Sequence, residues 1–150
     1  MLRRWIMEII VLLLFSLFVY AATSKLMDYK VFLVQMNDQP FDDKFSILLV
    51  WGLPALQYLI AGLLIFRRTL LAGLYGSLAL MLIFTVYITL IKLNFFNHIP
   101  CSCGGVIKQF TWTEHLYFNL FFIIISLAGI VFHKWLRRNV KPTFEKIQLS

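Results

Sequence analysis

Apolar residues in this chain come in four long blocks with short polar interruptions: Trp5 to Ala22, Phe45 to Phe66, Leu70 to Leu93 and Trp112 to Trp135. A helix rises about 1.5 Å per residue, so even the shortest block reaches roughly 27 Å, close to the thickness of a bilayer's hydrocarbon core. The pattern predicts an all-α fold, an antiparallel bundle of four transmembrane helices, as one domain over residues 1–150. Between the first two blocks, Leu26, Tyr29, Leu33 and Met36 recur at helical spacing, which predicts a short helix lying in the interface plane. Asn37-Asp38-Gln39-Pro40 ends it.

Local signals refine the blocks. Arg4 and Glu8 stand four apart and are expected to pair on one helix face. Val19-Tyr20-Ala21 weakly resembles a signal-peptidase site, but the first block is read as a retained helix. Pro54 lies inside the second block, where it frees a carbonyl and favours a kink. Gln57 follows it and needs a partner in hydrocarbon, so it is expected to face other helices. Arg67-Arg68-Thr69 is too short for anything but a turn between antiparallel neighbours. Ala72, Gly73, Gly76 and Ser77 offer a close helix approach. Thr85, Thr89 and Lys92 line one face and lead toward the second outer connection, with Lys92 snorkelling at its edge. Thr111-Trp112-Thr113-Glu114 matches a capping box, and His115, Asn119 and Ser126 fall on one side of the helix it starts. Pro142 discourages helix in the tail.

Composition agrees with a membrane solvent: 61% of the residues are hydrophobic, where a soluble domain has about half. The net charge of +7 does not point to nucleic acid, because no nucleic-acid-reading motif is present. Nine of the 14 Lys and Arg cluster at block ends: Arg3 and Arg4; Arg67 and Arg68; Lys134, Arg137, Arg138, Lys141 and Lys146. The other five are Lys25, Lys30, Lys44, Lys92 and Lys108. The positive-inside rule then puts both termini in the cytoplasm. The connection holding Cys101 and Cys103 falls outside, on the periplasmic side of a bacterial inner membrane.

That connection carries Pro100-Cys101-Ser102-Cys103-Gly104-Gly105, with the only two cysteines in the chain. The outer compartment lets a dithiol stay oxidised. Two cysteines one residue apart close a small, strained and therefore reducible ring, and the glycines supply the backbone freedom it needs. Either an exchanging dithiol or a static bridge fits these residues. His98 and His115 are candidates to favour the thiolate, with Lys92 and Lys108 adding positive potential. His98, Cys101, Cys103 and His115 together form a two-Cys, two-His alternative for zinc or copper. A quinone is the candidate cofactor among Tyr58, Tyr87, Phe95, Phe96 and Trp112, although interfacial aromatics are usually membrane belts. No phosphate loop, Ser-His-Asp set or paired carboxylate site is visible, so phosphoryl transfer and hydrolysis have no support.

Four stretches resemble the MauE/DoxX family of redox-associated membrane proteins, on the MauE side. They are Ser24-Lys25-Leu26-Met27-Asp28-Tyr29 with Phe32; Leu53-Pro54 with Gln57; Pro100 to Gly105; and Trp112-Thr113-Glu114-His115-Leu116 with Phe118 and Asn119. Gln57 stands where relatives often carry Glu, which removes an ionisable group. The resemblance implies a four-helix membrane bundle. It also implies a redox dithiol, Cys101 and Cys103, with His115 and Asn119 beside it. MauE is associated with maturation of methylamine dehydrogenase alongside a thioredoxin-like partner, and DoxX-type relatives with thiosulfate or quinone redox work. The expected function is a thiol–disulfide component of the membrane, serving a periplasmic thioredoxin-like protein. The alternative is a non-catalytic subunit or metal-binding scaffold with a static Cys101–Cys103 bridge.

Overall fold

The computed structural model describes residues 2–37, 43–93, 95 and 111–148, with side chains described for 4–37, 46–93, 95 and 111–138. Five helices follow one another: α1 Leu2–Met27, α2 Tyr29–Asn37, α3 Asp43–Ile65, α4 Leu70–Lys92 and α5 Trp112–Gln148. No strand occurs among the described residues. Four of the helices are long and apolar enough to cross a membrane, over Arg4–Met27, Ser46–Ile65, Leu70–Lys92 and Trp112–Arg138. Only 33% of each span's most apolar stretch is buried inside the protein. The remaining surface carries side chains such as Trp5, Leu12, Leu48, Leu59, Ile83, Ile124 and Val131, all exposed. Water would penalise such a surface heavily, and a lipid solvent does not.

Two helices are longer than the apolar blocks suggest. α1 continues beyond Ala22 through Met27. Ser24 and Lys25 stay helical because the ladder does not break: Asp28 N–H donates to Ser24 O at 3.3 Å, and Phe32 N–H to Asp28 O at 2.9 Å. α2 therefore grows out of α1 across Asp28. α5 continues past Trp135 and through Pro142, so that proline does not end it.

Where α2 goes also differs from an isolated interfacial helix. Ser46 Oγ donates to Met36 O at 3.0 Å, and the Tyr29 and Trp51 rings lie 5.3 Å apart. Further along, the Thr23 and Tyr58 hydroxyls bond at 2.8 Å. These contacts set α1 and α2 together antiparallel to α3. α2 buries Phe32 against the bundle, with Tyr29, Leu33 and Met36 packed beside it. Its apolar stripe faces protein rather than headgroups.

One end of the bundle is closed by the α3–α4 turn. Thr69 N–H donates to Phe66 O at 3.1 Å, and its hydroxyl to Leu63 O at 3.0 Å, satisfying carbonyls that end α3. The small-residue stripe then does what its spacing predicts. A Cβ on Gly73 would lie 2.9 Å from Leu64 N, and one on Gly76 would lie 3.3 Å from Ile60 Cγ1. On α5, a Cβ on Gly129 would lie 2.9 Å from Leu74 Cδ2 and 3.1 Å from Ile10 Cγ2. α3 runs through Pro54 unbroken, although Pro54 offers no N–H to the carbonyl of Val50. The expected Arg4–Glu8 pair is present at 3.5 Å. Both side chains are exposed, so it adds little stability.

The Gly73 contact is with backbone, which cannot swing aside. Gly73→Ala is expected to cost about 1–3 kcal/mol and lower the thermal midpoint in detergent. Gly62 has nothing within 4 Å of its would-be Cβ, so Gly62→Ala should leave the midpoint unchanged or slightly higher. Equal losses from both changes would contradict the close approach.

Candidate functional site

The α4–α5 connection leaves α4 at Leu93 and enters α5 at Trp112, and both of its ends are held. Thr111 Oγ1 accepts from Glu114 N–H at 3.4 Å, while Glu114 Oε2 accepts from Thr111 N–H at 2.8 Å and from its hydroxyl at 2.9 Å. This is the reciprocal capping box the sequence announces, and it satisfies amides that the first helical turn leaves open. His115 N–H donates to Thr111 O at 3.0 Å and begins the regular ladder.

Lys92 adds a tie between the helices. Its Nζ donates to Thr113 Oγ1 at 3.1 Å, joining the last turn of α4 to the first turn of α5. Thr85 and Thr89 lead up to it, each donating to the carbonyl four residues back at 2.8 Å. The connection is therefore pinned at its base. Its chemically interesting members, His98, Cys101 and Cys103, lie outside the described residues, as do Phe96 and Lys108. Of the four metal-ligand candidates, only His115 is described.

Below the base, α5 turns polar groups inward. His115 is 3% exposed, Asn119 4% and Ser126 0%. They share the buried face with Phe122, Ile123 and Ile130. The predicted alignment of His115, Asn119 and Ser126 is thus the core face of the helix. His115 is an interior ring, not one spread among headgroups. Gln57 is likewise inward and fully buried. Its Oε1 and the Ser126 hydroxyl have no hydrogen-bond partner among the described residues.

Among the aromatic candidates, Tyr58 is engaged with Thr23. Two buried polar residues escaped the sequence reading. Lys25, counted there with a polar connection, is 7% exposed on the inner face of α1, where its Nζ donates to Ala21 O at 3.2 Å. The Phe32 ring centroid lies 5.8 Å from the same ammonium. Lys25 continues the register of Phe18, Ala21 and Ala22, and that periodicity was the available signal. Ser46, at the start of the second apolar block, is fully buried through its bond to Met36.

Four apolar spans with lipid-facing surfaces, inward polar side chains and a connection anchored across two helix ends define a multi-pass membrane protein. The family model for methylamine utilisation protein MauE matches residues 3–132, most of the chain, and the chain belongs to that family. No curated protein and no solved structure matches it.

The cap is open to direct measurement. Thr111→Ala removes the side-chain half of the box and is expected to cost about 1 kcal/mol. Amide hydrogen exchange should speed up at residues 113–115 and stay unchanged in the second half of α5. Unchanged protection at 113–115 would show that the box does not hold the helix start.

Proposed function

We propose that this MauE-family protein is a thiol–disulfide component of the bacterial inner membrane, with a membrane accessory role of the kind its family name links to methylamine utilisation. Cys101 and Cys103 are the redox pair. They exchange electrons with a thioredoxin-like protein in the periplasm, in support of maturation of periplasmic proteins. The observation that carries this reading is the double anchoring of the connection that contains both cysteines, by the Lys92–Thr113 bond and the Thr111–Glu114 box. A dithiol at the end of a rigid frame meets a soluble partner repeatedly in one orientation. The arginine and lysine clusters support the sidedness, with both termini in the cytoplasm.

The exchange balances as follows. The Cys101 thiolate attacks one sulfur of the partner's disulfide, forming a mixed disulfide and releasing the partner's other sulfur as a thiolate. The Cys103 thiolate then attacks Cys101 Sγ, forming the Cys101–Cys103 bond and expelling the partner's second thiolate. Two electrons have passed to the partner, and the two protons lost by the cysteines balance those taken up by its thiolates. The reverse sequence passes two electrons the other way. A positive imidazole near a cysteine favours its thiolate, and His115 is assigned that role. Asn119, one turn deeper on the same face, is assigned to hold the ring's orientation.

Redox trapping tests the pair. Cys103→Ser should accumulate a mixed disulfide through Cys101 with a periplasmic protein, visible on non-reducing gels, and the double serine variant should accumulate none. A membrane-impermeant maleimide should label the reduced cysteines in intact cells. If neither single variant traps a partner, or if only a permeant reagent labels the thiols, the relay has no basis.

A further inference from the structure

At the end of the bundle that carries the basic turn, one cation is held across two helices. Tyr75 lies in the second turn of α4, just past Arg67 and Arg68, and is exposed. Lys134 of α5 sets its ammonium over the Tyr75 ring, 5.3 Å from the centre. An ammonium is attracted to an aromatic face, so this contact restrains a side chain that would otherwise sweep freely. On α5, Leu127, Val131, Lys134 and Arg138 recur at helical spacing, and all four are exposed. Tyr75 and Leu82 share an exposed face of α4 in the same way. The Tyr75–Lys134 contact joins the two faces into one seam between α4 and α5.

The seam is apolar along its length and cationic where it ends. Lys134 and Arg138 stand one and two turns beyond Val131, toward the basic turn. No carboxylate among the described residues answers them. Glu8 pairs with Arg4, while Asp28 and Glu114 stand at the opposite end of the bundle. Two like charges four apart on a helix repel, and an anion between them turns that repulsion into attraction.

We propose that this seam binds an anionic glycerophospholipid. Its phosphodiester has two non-bridging oxygens that share one negative charge, and Lys134 and Arg138 meet them from successive turns. An acyl chain runs along Leu127 and Val131, within the surface that lipid covers. A soluble anion gains nothing from the apolar length of the seam. A zwitterionic lipid brings its own ammonium to the same place. The site is independent of the dithiol and of which face of the membrane this end occupies.

The test titrates the full chain, in an uncharged detergent, with dioleoylphosphatidylglycerol, and follows thermal unfolding by tryptophan fluorescence. The midpoint should rise and saturate. Dioleoylphosphatidylcholine and inorganic phosphate should leave it unchanged. Lys134→Gln combined with Arg138→Gln should raise the half-saturating lipid level roughly twenty-five-fold, about fivefold for each cation lost. Arg67→Gln combined with Arg68→Gln removes the same charge from the same end, and should raise it less than about threefold, through the screened field alone. Tyr75→Leu keeps every charge but releases Lys134, and should raise it roughly threefold. That variant keeps the test open if the double change in α5 fails to fold. The proposal is overturned if phosphatidylglycerol does not raise the midpoint, or if phosphatidylcholine or inorganic phosphate matches it. Equal losses from the two double variants, or an unchanged titration in Tyr75→Leu, would also overturn it.

Discussion

Hydrocarbon offers no hydrogen bonds, and that single constraint orders most of this structure. A polar side chain within a span must find its partner inside the protein, so Gln57, Ser77, His115, Asn119 and Ser126 all sit on inward faces. Apolar side chains carry no such obligation. Trp51, Leu59, Ile83 and Phe121 are left facing outward, because lipid is no worse a neighbour for them than the core. In a soluble bundle the apolar residues choose the buried faces. Here the polar and the small residues choose them, and the apolar residues fill what is left.

The same rule explains which features could be read from the sequence. The Thr111–Glu114 box was legible because its two partners stand three residues apart and bond each other. Gly73 and Gly76 were legible because a glycine in an apolar helix has little use beyond close approach. The His115, Asn119 and Ser126 face followed from helical spacing alone. Lys25 was not legible in the same way. A lysine near the end of an apolar block ordinarily reaches for water even where its register is inward, and the packing of α2 over α1, with Phe32 beside the ammonium, decides that this one does not. The course of α2 was hidden for a related reason. An amphipathic stripe looks the same whether headgroups or a neighbouring helix cover it, and the Ser46–Met36 bond that decides between them joins residues ten apart.

Family membership adds something different from the geometry. It sets the chain among MauE proteins over residues 3–132, a range that takes in all four apolar blocks nearly to the end of the last. The geometry explains why such a chain holds together and how its α4–α5 connection is anchored. The proposed dithiol chemistry rests on the sequence between those anchors. A frame of this kind suits several chemistries in the α4–α5 connection, because helix α4 and helix α5 set where it begins and ends.

The two halves of the bundle are fastened by different physics. Toward the α3–α4 turn, contacts are steric: Gly73 against Leu64, Gly76 against Ile60, and Gly129 between Leu74 and Ile10. Packing of that kind is dense, dry and resistant to sliding. Toward the other end, the fastenings are single hydrogen bonds: Ser46 to Met36, Lys92 to Thr113, and Thr111 with Glu114. The Lys92 and Thr111 bonds are exposed and each contributes only about 1 kcal/mol, whereas Ser46, which donates to Met36 O, is buried. The bundle is thus fastened by close backbone approach beside the basic turn and by hydrogen bonds where the α4–α5 connection attaches.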